Sequence, residues 1–137
     1  MSPTEEATIR ATAAQFFNAI EAGDIAAMKS LLTPDAEVWH NTDELTTSPE
    51  HTARVLAGMV ERITNLKYSD RRLDVFPGGF VQQHLLEGNR IHDGEKVRLP
   101  AAIIARVENG KIKRIDEYFD TVHQATFRKF VGVPLKL

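Results

Sequence analysis

The stretch Ala101-Ala-Ile-Ile-Ala-Arg-Val-Glu-Asn-Gly110-Lys-Ile-Lys-Arg-Ile-Asp-Glu-Tyr-Phe-Asp120 reads as two β-strands joined at Asn109-Gly110. Asn-Gly between alternating apolar residues is the strongest short-range hairpin signal, because both positions of the tight turn need positive φ. Counting outward from a two-residue turn pairs Glu108 with Lys111, Arg106 with Lys113, Ile104 with Ile115 and Ala102 with Glu117. Side chains alternate across a strand, so these pairs share one face. That face is charged near the turn, apolar further in, and then meets the Glu117 carboxylate before Phe119. Glu117 is either a strand-end residue reaching water or a buried functional acid.

A second turn at Asp93-Gly94 extends the count to Phe80–Ile91. It predicts the rows Gln83–Ile104–Ile115, Leu85–Ala102–Glu117 and Glu87–Pro100–Phe119. The opposite face then carries His84, Ile103 and Asp116. One bulge would exchange the two sets, and Pro100 inside a strand makes an irregularity reasonable.

The N-terminal half is helical. Ser2-Pro3-Thr4-Glu5 is a start signal, and Ile9, Ala13, Phe16 and Ile20 recur at helical spacing until Gly23. Asp24 caps a second helix expected to stop at Thr33-Pro34. A short strand is expected over Ala36–Asn41, with Val38 and His40 on one face. Ser48-Pro49-Glu50 starts a third helix with Leu56, Met59, Val60 and Ile63 on its apolar side. Leu66 and Tyr68 are out of phase with Leu73 and Val75, which predicts a bulge near Ser69-Asp70. The tail Phe127–Leu137 is too apolar to be solvated and is expected to pack. The fold class is therefore α+β: three N-terminal helices on a strongly curved, mostly antiparallel sheet, forming a cone with one pocket in a single domain over 1–137.

Composition narrows the function. The chain is 42% hydrophobic and 26% charged, with net charge −2, no basic block and no cysteine. Nothing electrostatic points to nucleic acid or an anionic membrane. Disulfides, thiol chemistry and cysteine-based metal sites are excluded. There is no signal-peptide core and no apolar run of membrane-spanning length, so a cytoplasmic protein is expected. No phosphate-binding loop or dinucleotide fingerprint is present, and the histidines lack ligand spacing, so neither cofactor nor metal is expected.

The helix pair, the strand Pro34-Asp-Ala-Glu-Val-Trp-His40, the long hairpins and the ending Gly110-Lys-Ile-Lys-Arg-Ile-Asp-Glu-Tyr-Phe-Asp120 together resemble the nuclear transport factor 2-like superfamily, in particular its SnoaL-like polyketide cyclase and ketosteroid isomerase-like branch. The resemblance spans roughly residues 5–125 by pattern. It implies a cone-shaped ligand pocket and a homodimer. It places His40 where ketosteroid isomerases carry a general-base aspartate, and Glu117 where limonene epoxide hydrolases carry a catalytic aspartate. Those hydrolases' remaining arginine and aspartate fall at Leu85 and Glu87. With leucine in place of the arginine, that triad is not complete. The isomerase oxyanion donors fall at Ala102 or Ile103 and near Phe16 or Phe17, which are apolar.

The candidate catalytic residues are thus His40, Glu117 and Glu87. Imidazole titrates near neutrality and suits proton abstraction beside a carbonyl. The alternative for His40 is a strand histidine bonded to Asp43 or Glu44. The expected ligand-contacting set is Phe16, Phe17, Val38, Met59, Gln83, His84, Leu85, Ala102, Ile104 and Phe119. His84 joins it only if a bulge turns its strand. Otherwise it faces outward and pairs with Asp116. The expected ligand is a small apolar, carbonyl-containing molecule, bound for isomerisation, cyclisation or hydrolysis or else held without turnover. Ile103, Ala105, Val107, Ile112 and Tyr118 form the expected outer patch for dimerisation.

Overall fold

A computed structural model describes residues 1–135. The element order is α1 (Pro3–Glu21), α2 (Ile25–Ser30), β1 (Leu32–His40), β2 (Thr46–Thr47), α3 (Pro49–Arg62), β3 (Ile63–Phe76), β4 (Gly79–Arg90), β5 (Lys96–Glu108), β6 (Lys111–Tyr118) and α4 (Thr121–Arg128). One curved, mixed, unclosed sheet runs β2-β1-β6-β5-β4-β3. Only β1 and β6 are parallel.

The caps form as sequence chemistry requires. The Ser2 hydroxyl accepts from Glu5 N at 3.0 Å and the Ser48 hydroxyl from His51 N at 3.2 Å. The Glu5 carboxylate does not complete a capping box. It accepts from Gly78 N at 3.0 Å and ties α1 to the β3–β4 turn. Helix α2 ends at Ser30, earlier than expected, and β1 begins at Leu32, so Thr33-Pro34 lies inside a strand. Proline is tolerated there because its neighbours leave gaps. The β1–β6 pairing is interrupted between Leu32 and Glu37. The polar ending Asp120–Arg128 adds a fourth helix, with Asp120 as its cap. In the tail, Phe127 is buried and the Phe130 ring stacks on His92 at 4.5 Å, but Val131, Val133 and Leu135 are exposed, so only the first part of the tail packs as expected. The expectation for the tail extended to Lys136 and Leu137, which lie outside the described residues.

Two departures in the hairpins reorganise the sheet. The Asn109-Gly110 turn is tight, with φ of 51° and 75°, and Glu108 faces Lys111. The register then slips at Lys113, so Ile103 rather than Ala102 faces Glu117. The cause is visible in burial. Ile112 and Ile115 are 0% and 3% exposed, yet three residues apart, and a strand can bury both only by inserting one extra residue. At the other hairpin the loop takes four residues, Ile91–Gly94, rather than two. Arg90 N donates to Glu95 O at 2.8 Å, and Asp93 clamps the loop through Arg90. That shifts the pairing by two, so Leu85 faces Pro100 and Gln82 faces Ile103.

The face shared with Glu117 is therefore Gln82, His84, Leu86, Ile103, Ala105 and Ile115, and this face is the concave, buried one. Gln83, Leu85, Glu87, Ala102 and Ile104 point the other way. The outer patch expected for dimerisation is corrected by the same slip. Ile103, Ala105 and Ile112 lie in the core, Val107 packs against it, and only Tyr118 is exposed. At the centre stands Phe17, fully buried, with the rings of Phe16, Tyr68 and His84 about it at 5.3, 5.1 and 5.2 Å. The β3 bulge falls where expected. Pairing slips between Ser69 and Arg72, with Asp70 at φ 53°.

Candidate functional site

A cavity of about 240 Å³ lies between the concave face of the sheet and helices α1, α3 and α4. Its wall is mostly apolar. Phe16, Phe17, Val38, Met59 and Phe119 line it as the sequence suggests. So do His40 and Glu117.

The His40–Glu117 pair is built by strand pairing. In the parallel β1–β6 ladder His40 lies directly opposite Glu117, so both side chains leave the sheet on the same side. Asn41 fixes that register. Its amide donates to Phe119 O and accepts from Phe119 N, both at 3.0 Å, and its backbone N donates to Glu117 O at 3.1 Å. His40 Nε2 then sits 3.0 Å from Glu117 Oε1, with the side chains 30% and 21% exposed. The Phe119 ring packs against the imidazole at 5.6 Å. Burial alone would lower the histidine's pKa. The hydrogen bond and charge of Glu117, joined by the charge of Asp43, outweigh that and hold His40 above its ordinary value. Among the described residues His40 Nδ1 has no hydrogen-bond partner.

Behind this pair lies a second histidine in the opposite condition. His84 is 5% exposed, edge-on to Tyr68 at 4.7 Å and bonded through Nδ1 to the Gln82 amide at 3.0 Å. Burial pushes its pKa down to about 4, against the pull of Glu117, so it is neutral at physiological pH. It supports the wall and is not itself part of it. Its expected partner Asp116 is on the outer face and binds Arg114 at 2.8 Å.

The slip in β6 removes several expected residues. Gln83, Leu85, Ala102 and Ile104 are outside the cavity. Glu87 is on the convex side, where it accepts from the Ser69 hydroxyl at 2.9 Å, so it cannot reach a bound molecule. Residues not foreseen replace them, among them Tyr68, Ile103, Arg62 and Arg128. Tyr68 is buried and its hydroxyl has no hydrogen bond among the described residues. Burial, with Glu117 adding, holds its phenol far above the ordinary range, so it keeps its proton and can donate a hydrogen bond. Among the described residues no three His, Asp or Glu side chains gather so as to hold a metal ion. No helix among them is long and apolar enough to cross a membrane.

Residues 13–115 match the SnoaL-like domain model. No curated protein matches the sequence. Solved structures with the same architecture include a candidate polyketide cyclase from Xanthomonas campestris pv. campestris (16% identity, 88% of this chain and 96% of that one, TM-score 0.78). A candidate isomerase from Bacillus subtilis is similar over 99% of this chain and 100% of its own, at 14% identity and TM-score 0.77. An LEH-like epoxide hydrolase from M. tuberculosis is similar over 88% and 87%, at 18% identity and TM-score 0.70. At these identities the likeness establishes the fold, that of the nuclear transport factor 2-like cone.

Proposed function

Because this chain belongs to the SnoaL-like domain family, we propose that its cavity binds a small lipophilic carbonyl compound and that His40 and Glu117 move a proton on it, without a cofactor. The observation that carries this reading is the 3.0 Å His40–Glu117 contact on the wall of an apolar cavity. Glu117 engages Nε2 and orients the ring, which leaves Nδ1 to take or return a proton next to the carbonyl. The raised pKa of His40 keeps it able to return that proton near neutrality. Tyr68, a donor with no internal partner, supplies a hydrogen bond for the oxygen on which charge develops. Isomerisation and aldol-type cyclisation begin with such a step, whereas hydrolysis would use the same base on a water molecule.

The test is α-proton exchange of 4-phenyl-2-butanone in D2O, followed by NMR. Wild type should accelerate exchange, and His40→Ala should abolish the acceleration while still binding the ketone. Exchange no faster than buffer would refute turnover. A second reading, binding without turnover, has one observation in its favour: His40 and Glu117 already satisfy each other. Retained binding with no exchange would establish it.

The convex face supports a homodimer. It carries the paired rings of Trp39 and Tyr118, 5.4 Å apart, with Leu85, Ala102 and Ile104 on neighbouring strands. Among the described residues no helix covers that face, and apolar surface of this kind marks interfaces.

A further inference from the structure

We propose that the molecule held in the cavity carries a carboxylate, received by Arg62 and Arg128 while its apolar body runs toward His40 and Glu117. This rests on the reading of the cavity as a ligand site.

Helices α3 and α4 both start beside the His40–Glu117 pair. Thr47, two residues before α3, pairs with Val38 of β1, and Asp120, the cap of α4, follows Phe119. Both helices end at the base of the β4–β5 hairpin. Ile91 N donates to Arg62 O at 2.8 Å, and Arg90 Nη1 donates to Thr126 O at 3.2 Å. The last turn of each helix thus brings an arginine to one place, and both arginines line the same cavity. The eight residues of α4 rise about 12 Å, so the arginine end and the proton-transfer end lie about one small ligand's length apart.

Neither guanidinium is in an ion pair among the described residues; Arg54, Arg72, Arg98 and Arg106 are likewise without one, but only Arg62 and Arg128 line the cavity. Arg62 Nε is buried without a hydrogen-bond partner, and Thr52 Oγ1, on the same helix and the same cavity, is in the same condition. Burial and the charge of Arg128 both press on Arg62, with only Glu61 opposing. A cation in the last turn suits its own helix dipole. That does not require two of them on one cavity wall, where like charges repel until an anion sits between them. Arg128 is exposed, so this end is open to an incoming ligand. The planar forks of two guanidiniums match a carboxylate.

The test compares 4-oxo-4-phenylbutanoate with its methyl ester, by calorimetry and by the NMR signals of His40. Wild type should bind the acid at least tenfold more tightly than the ester, and the preference should shrink with added salt. Arg62→Gln and the surface variant Arg128→Gln should each weaken the acid at least fivefold and leave the ester unchanged. Equal binding of acid and ester, no binding of either at millimolar concentration, or a preference that survives in the double variant would each overturn the proposal. If acid and ester bind equally and both shift His40, the proposed function stands and this inference falls. If the acid is preferred but His40 does not respond, the reverse holds.

Discussion

Acidification should destabilise this protein through His84, and the size of the effect follows from its surroundings. His84 is neutral in the fold because Phe17, Tyr68 and Gln82 enclose it, and its pKa is pushed down to about 4. Unfolded, it titrates near the ordinary 6.5. A base with a depressed folded pKa gives up stability as pH falls below its unfolded value, since only the unfolded chain takes up the proton, and the loss ends at the folded value. Between neutrality and about pH 4.5 the difference amounts to about 2.5 kcal/mol. The perturbation is His84→Phe, which keeps an aromatic ring edge-on to its neighbours. It strands the Gln82 amide, at a pH-independent cost of about 1–3 kcal/mol. Urea unfolding of both proteins from about pH 7 to 4.5 isolates the term, because every other titration cancels. Wild type should lose about 2.5 kcal/mol more than the variant over that range. Parallel profiles would refute the enclosed, neutral His84.

Other expectations follow from the packing. Gly79→Ala should cost about 3 kcal/mol, because a Cβ there falls onto the Ala105 carbonyl oxygen and within 2.8 Å of the Phe76 ring. Gly94→Ala, with open space but φ at 74°, should cost about 1–2 kcal/mol by urea unfolding. Phe17→Ala should cost about 3–5 kcal/mol, since its ring joins α1 to β3 and β4. Sedimentation equilibrium at micromolar concentration should give a dimer for wild type and a monomer for Ile104→Lys. A monomeric wild type would refute the convex-face interface.

Much of this was legible in the sequence. Ser2, Asp24 and Ser48 announce three helices, Asn109-Gly110 announces its turn, and the phase break between Tyr68 and Leu73 announces the β3 bulge. The family resemblance points both His40 and Glu117 at the pocket, and the two side chains lie 3.0 Å apart on the cavity wall. Counting regular pairing outward from a turn failed where the pairing was irregular. Ile112 and Ile115, buried three residues apart, carried the signal for the second bulge. Missing it put Gln83, Leu85, Glu87, Ala102 and Ile104 on the wrong face. Asp93 hid the longer loop, because its clamp to Arg90 depends on side-chain geometry rather than on a turn dipeptide. Arg62, Arg128 and Tyr68 were missed for another reason. A cavity wall collected from α3, α4 and β3 has no spacing in the chain to reveal it.

The central claim is that His40 and Glu117 act as one unit, and the direct measurement is an NMR titration of His40 in wild type and Glu117→Gln. Glu117 raises the pKa of His40 against the effect of burial. A base with a raised folded pKa contributes stability that is complete below the unfolded value, near 6.5, and is lost as pH rises through the folded value. Wild type should therefore titrate above 6.5, and Glu117→Gln, left with burial as the main influence, should titrate below its wild-type midpoint. Its stability deficit should be largest near about pH 6 and fade in alkali. A His40 midpoint that does not move when Glu117 loses its charge would contradict the account.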